Sequence, residues 1–235
     1  MKILLFGLMA ACAWAQIENS QIGVMLDANG RARPVSGTLA AAIAGTPWFD
    51  GPVLSLACSA EGCVAKTEAA LFTPAGVVVD APPGAAIIAL DAFSPGAAYV
   101  YFVESGALAR WTGSQLVPLA FAAGGDVLSL RAIAGGFESA VERDGEIWVG
   151  GKSLGAANCV LLLDGGGALL GSGDKVRLLR PDGTEIDLAV AAGSIVGGFI
   201  RMSNQFVQVI TDTGMWALDI TAGHEQIVLL PGVSH

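Results

Sequence analysis

The stretch Val127-Leu-Ser-Leu-Arg-Ala-Ile133-Ala134-Gly135-Gly136-Phe-Glu-Ser-Ala-Val141-Glu-Arg143-Asp144-Gly145-Glu-Ile-Trp148-Val149 reads as three short strands separated by two tight turns. Each turn carries the residues that a reversal of direction requires: Gly supplies positive φ at no steric cost, and Asp-Gly is a strong hairpin signal between apolar runs. The same plan recurs along the chain. Val53 to Ala57 turns at Ser59-Ala60-Glu61-Gly62, Ala86 to Phe93 at Ser94-Pro95-Gly96, Val160 to Leu163 at Asp164-Gly165-Gly166-Gly167, and Ile195 to Arg201 at Met202-Ser203-Asn204.

Taking Cys58, Phe93, Ile133, Asp164 and Arg201 as equivalent positions, the spacings are 35, 40, 31 and 37 residues. A period near 40 residues built from short strands is that of a β-propeller blade. The second half of the unit repeats too: Glu104-Ser105-Gly106 precedes Trp111, Arg143-Asp144-Gly145 precedes Trp148, and Thr211-Asp212-Thr213-Gly214 precedes Trp216. Closing hairpins follow, such as Val176 to Leu188 with Asp182-Gly183 at its tip. Gly23 to Val35, with Asn29-Gly30, has the same form. With one more closing hairpin than opening ones, the N-terminal hairpin (residues 22–36) is expected to help close the ring. The expected fold is all-β: a propeller of five four-stranded blades, or six with one incomplete, occupying residues 16–235 as one domain. A β-sandwich is the competing architecture, because it also produces many short strands with frequent turns.

On this hairpin rhythm, the chain over residues 22 to 232 resembles secreted bacterial β-propeller proteins of the WD40-like and YVTN-like kind. Asp212-Thr-Gly-Met-Trp216 is similar to the Asp-box of sialidase-type propellers, but it lacks that motif's Ser and its spacing to Trp. The Gly-His and Trp-Asp pairs of eukaryotic WD40 blades are missing as well, so the resemblance transfers no catalytic residues.

Composition points the same way. The chain of 235 residues has 32 Gly, 53% apolar residues and 14% charged residues, against about 7% Gly and 25% charge in ordinary soluble domains. That excludes a disordered chain, and interior Gly at roughly 1 kcal/mol each argues against a helical bundle. A formal charge of −9, with 12 scattered Lys and Arg, argues against nucleic acid as a partner.

The N-terminus reads as an export signal. Met1-Lys2, an apolar run from Ile3 to Met9, and Ala13-Trp14-Ala15 give cleavage after residue 15 and a periplasmic or secreted protein. Met9-Ala10-Ala11-Cys12 supplies the alternative, a lipoprotein anchored at Cys12. Beyond the signal, no apolar run reaches the ~18 residues of a spanning helix, so no transmembrane segment is expected. In an exported chain, Cys58 and Cys63 flank a four-residue turn and are expected to form a disulfide. Cys159, in the apolar run Asn158 to Leu163, reads as a free buried thiol.

Motifs for chemistry are sparse. His224 lies in a turn and His235 ends the chain, and no Gly-x-Ser-x-Gly elbow occurs. Asp182 and Asp212 read as turn carboxylates rather than metal ligands, and no metal or cofactor is expected. Trp111, Trp148 and Trp216 read as packing residues. Trp48-Phe49, in the insertion Gly45 to Gly51, is the candidate exposed aromatic contact. The reading that follows is an exported, non-enzymatic binding or scaffold module for a protein or glycan partner. The alternative is a carbohydrate-active or hydrolytic propeller drawing on Glu104, Glu142, Asp144, Glu146 and Asp212 as channel-facing carboxylates.

Overall fold

The structure is a computed structural model, and it describes residues 21–230. The expected signal, its cleavage site and Cys12 lie outside the described residues, as does His235.

The strands form antiparallel meanders in which neighbours follow in chain order, with one parallel junction between two of them. The N-terminal sheet consists of β1 (Gln21–Leu26), β2 (Ala32–Ser36) and β3 (Ile43–Ala44). The first meander is β4 (Ser55–Ser59), β5 (Gly62–Lys66), β6 (Ala70–Phe72) and β7 (Val78–Asp80). The second is β8 (Ala86–Leu90), β9 (Ala98–Phe102), β10 (Ala107–Trp111) and β11 (Leu116–Leu119). The third is β12 (Asp126–Ile133), β13 (Gly136–Arg143), β14 (Glu146–Val149) and β15 (Lys152–Gly155). The fourth is β16 (Cys159–Leu162), β17 (Ala168–Ser172), β18 (Lys175–Leu179) and β19 (Glu185–Ala189). The last is β20 (Val196–Arg201), β21 (Phe206–Thr211), β22 (Gly214–Asp219) and β23 (Gln226–Leu229).

The expectation of five or six separate blades is not matched. The second, third and fourth meanders stand alone, but the last and first fuse into one eight-stranded sheet, so among the described residues the sheets of four or more strands number four. The cause is a parallel meeting of β20 and β4 at one residue pair, Arg201 with Ala57. The sandwich alternative falls as well. Innermost strands β4, β8, β12, β16 and β20 each touch the next, and β20 returns to β4, a ring in place of two facing layers.

Packing follows the alternation of apolar residues along each strand. Separate apolar clusters lie between the first and second meanders (Leu71, Trp111), the second and third (Leu108, Leu130), the third and fourth (Ile147, Leu170), and the fourth and last (Val176, Val209). Two more flank the N-terminal sheet. Ile22, Met25 and Val35 meet Met202 and Ala217 of the last meander, while Val24, Leu26 and Ala32 meet Leu56 and Ala65 of the first. The N-terminal sheet thus sits in the seam, outside the closed inner ring.

Its inner edge needs partners, because β1 has a ladder on one side only. The Val24 N–H donates to Met202 O at 3.1 Å. Leu26 is served by a side chain: its N–H donates to Gln208 Oε1 at 2.9 Å, and Gln208 Nε2 donates to its carbonyl at 2.7 Å. The approach is close enough to require glycine at residue 23, where φ is +154° and a Cβ would lie 2.3 Å from Met202 O.

Trp111, Trp148 and Trp216 all occupy third strands, on the same side of each strand but not at one register. Trp148 and Trp216 lie two residues beyond the pair that closes the preceding turn, and Trp111 lies four beyond. Trp111 has no exposed surface, and the other two are half-buried against clusters between meanders. Cys159 is half-buried instead of fully buried, and burial pushes its thiol up to about 11.

Candidate binding face

The turns joining first to second strands gather on one face of the ring. That of the first meander is stapled by the Cys58–Cys63 disulfide, between residues directly opposite in register and both buried. Beyond the staple, Glu61 Oε2 accepts from the Ser59 hydroxyl at 2.8 Å, and the Ala60 N–H donates to Asn204 Oδ1 at 3.3 Å, tying this turn to that of the last meander.

Several recesses open on this turn face. One of about 480 Å³ lies at the seam, where Gln21 and Gly23 of β1 meet Trp48, the stapled turn and Met202-Ser203. A smaller one of about 140 Å³ at the channel rim is lined by Glu61, Asp91, Pro95, Asp164 and Asn204. Two of about 290 Å³ flank the turn of the fourth meander. The channel itself, about 260 Å³, is lined mainly by Leu, Ile and Ala of the innermost strands.

The channel's charged residues, Arg131, Asp164 and Arg201, are committed to holding the ring together. Arg131 donates to the carbonyls of Leu163 (3.3 Å) and Gly167 (3.1 Å) and pairs with Glu138. Arg201 pairs with Asp164 and donates to Leu162 O at 3.0 Å. The glycine-rich turn of the fourth meander is therefore clamped from both neighbours. Arg180 extends the pattern to the last meander through Ile220 O and Glu225, and Glu225 is held below the usual carboxylate range by its own backbone N–H together with Arg180.

Of the aromatic pair singled out in the sequence, Trp48 is half-buried against the cluster of Val24 and Leu56, and its backbone N–H donates to Ala32 O. Phe49 is 43% exposed and tilts against Phe72 at 5.1 Å. The candidate carboxylates of different meanders do not converge, although Glu142, Asp144 and Glu146 share one hairpin. Glu104, Glu142, Asp144, Glu146 and Asp212 are exposed at second-to-third-strand turns of three different meanders, and none lines the channel. Asp212 accepts from the Ile195 N–H at 2.7 Å, and Glu146 accepts from the Ser153 hydroxyl. The Asp182 carboxyl is lowered by hydrogen bonds from Thr184, first from its backbone N–H, as an ordinary turn aspartate. Among the described residues, no group of three or more His, Cys, Asp or Glu is placed to hold a metal ion, and no helix is long and apolar enough to cross a membrane.

Sequence reasoning missed Gln208 and the arginine clamps. A polar residue inside the apolar run Phe206 to Ile210 was the available signal for the first, and arginines near the ends of inner strands for the second.

No family model matches the chain, and no curated protein matches it. Solved structures do. The chain is similar to a chain of the nidogen/laminin complex, at 12% identity and a TM-score of 0.59, over 91% of this chain and 95% of that one. It is similar to the WD40 β-propeller domain of Doa1, at 14% identity and a TM-score of 0.52, over 85% and 92%. It also matches PorZ, a bacterial surface component of the type-IX secretion system of Porphyromonas gingivalis, at 12% identity and a TM-score of 0.50. That match covers 91% of this chain but only 38% of PorZ. At such identities the likeness concerns fold alone, and with the ring of inner strands it makes this chain a β-propeller.

Proposed function

We propose that the protein is an exported, non-enzymatic β-propeller that binds a protein or glycan partner on its turn face. In this reading residues 1–15 are the export signal and residues 16–235 form one ring. The eight-stranded sheet is two blades joined at their inner strands, and the N-terminal sheet is the wedge that closes their seam. The observation that carries it is the distribution of surface features. The recesses between meanders open on one face, around an aliphatic channel whose arginines are spent on clamping neighbours. The buried disulfide and the signal-like N-terminus support export, where disulfides persist. Function does not follow from a propeller scaffold by itself, so the face and not the fold bears the argument.

The test is binding to the purified chain starting at Gln16, by glycan array and by affinity capture with purified candidate proteins, followed by substitutions on the turn face. Ligand binding that turn-face substitutions abolish supports the reading. Turnover of a glycoside that depends on Glu104, Glu142, Asp144, Glu146 or Asp212 would replace it with the enzymatic one. Mass spectrometry of the exported protein addresses the address: a Gln16 N-terminus is expected, and a lipid-modified Cys12 would make it an anchored lipoprotein.

A further inference from the structure

We propose that the seam recess is a glycan slot in which Trp48 is the stacking platform and Glu61 the principal hydrogen-bond acceptor. This rests on the binding-module reading and names the ligand class and its place. At about 480 Å³ the recess falls within the roughly 300–1,000 Å³ of ligand pockets, whereas the 140 Å³ rim recess does not.

The lining chemistry selects the ligand. Trp48 lines the recess while anchored on the core cluster of Val24 and Leu56, so its ring is held in place. Its electron-rich face attracts polarised C–H bonds such as those of a pyranose. Gln21, Ser59, Ser203 and Glu61 line the recess as well, residues that carry an amide, two hydroxyls and a carboxylate. With one carboxylate and no Lys or Arg among the described lining residues, and a chain charge of −9, an anionic ligand is disfavoured. A single acid among hydroxyls and an amide suits a neutral polyol.

The polar groups are also set in advance. Ser203 Oγ accepts the backbone N–H groups of Gln205 (3.4 Å) and Phe206 (3.1 Å), which leaves its own O–H free to donate to a ligand. The Glu61 carboxylate is steadied by Ser59 on a turn stapled by the disulfide, so little ordering remains to be done on binding. A protein partner would need about 800 Å² of contact on this side, a footprint across the whole face rather than one slot.

The experiment titrates cellotetraose, chitotetraose, maltotetraose and mannotetraose into the chain starting at Gln16, by calorimetry. At least one is expected to bind, with affinity falling ~10-fold or more in Trp48→Ala, which corresponds to about 1.4 kcal/mol, and partly retained in Trp48→Phe. Because Trp48→Ala could disturb the core beneath it, the exposed Glu61 supplies the surface variant. Glu61→Gln is expected to weaken binding without moving the melting temperature, while Phe93→Ala, on the turn of the second meander, leaves binding unchanged. Equal affinity of the unaltered protein, Trp48→Ala and Glu61→Gln overturns the slot but leaves the binding module standing. Binding of a purified protein with none of the four oligosaccharides overturns the glycan assignment alone. Failure of the unaltered protein to bind any ligand of either class removes both.

Discussion

Gln208 has no exposed surface, and its carboxamide takes the place of a peptide group from a neighbouring strand, serving both backbone groups of Leu26. Replacing it with Leu would strand a buried donor and a buried acceptor, each worth about 1–3 kcal/mol when unpaired. Gln208→Leu is therefore expected to lower the denaturant midpoint by at least that of one such group, and an unchanged midpoint would show the pairing to be dispensable. Asp27 governs the turn of the same hairpin. Burial opposes its charge, but hydrogen bonds from the Arg33 side chain and the Arg31 and Asn29 N–H groups outweigh it, and its carboxyl lies below the ordinary value. Its stabilising contribution is thus full above the unfolded carboxyl range near ~3.9 and is lost as pH falls through the lower folded value. Asp27→Asn should make stability less steep in acid, measured by thermal melts between pH 5 and 2. Cys159 gives a simpler check. With its thiol raised to about 11 by burial, Ellman's reagent at pH 8 is expected to react slowly with the native chain starting at Gln16 and rapidly with its one free thiol in denaturant.

At the scale of elements, the N-terminal sheet depends on one close approach. Gly23→Ala would place a methyl group against Met202 O, 2.3 Å from the Cβ position, in a backbone region other residues rarely adopt. A loss of about 1–3 kcal/mol is expected, as for overpacked sites, whereas Gly135→Ala meets open space within 4 Å and pays only for its positive φ. What was legible in the sequence belongs to this scale. Asn29-Gly30, Asp144-Gly145 and Asp182-Gly183 marked turns because turn geometry is set by the residues in the turn, and Cys58 and Cys63 were legible as a pair because the four residues between them fix their opposition. The seam was not. Whether β20 meets β4 depends on how five inner strands share a circumference, which no local pattern encodes, and so the fused sheet escaped a count of hairpins. Trp48 could be flagged as lying outside the repeat, but not placed, since its neighbours come from both chain ends.

The whole molecule is a ring whose two ends meet through a third body. At the seam β20 and β4 are bridged at a single parallel pair, Arg201 with Ala57, while the outer part of the seam is filled by the N-terminal sheet with an apolar cluster on each side. A propeller leaves only short, protected sheet edges when it closes, and here closure also creates the recess beside Trp48, so ring integrity and the binding face are one question. Native-state hydrogen exchange on the Val24 and Leu26 amides tests it most directly, since each donates across the seam, to Met202 O and Gln208 Oε1. If the sheet is an integral part of the ring, both amides exchange only with global opening, at the free energy measured for core amides of β21 such as Val209. Exchange of Val24 and Leu26 by a separate, lower-energy opening, with β21 still protected, would mean that the ring closes without its N-terminal sheet and would contradict this account.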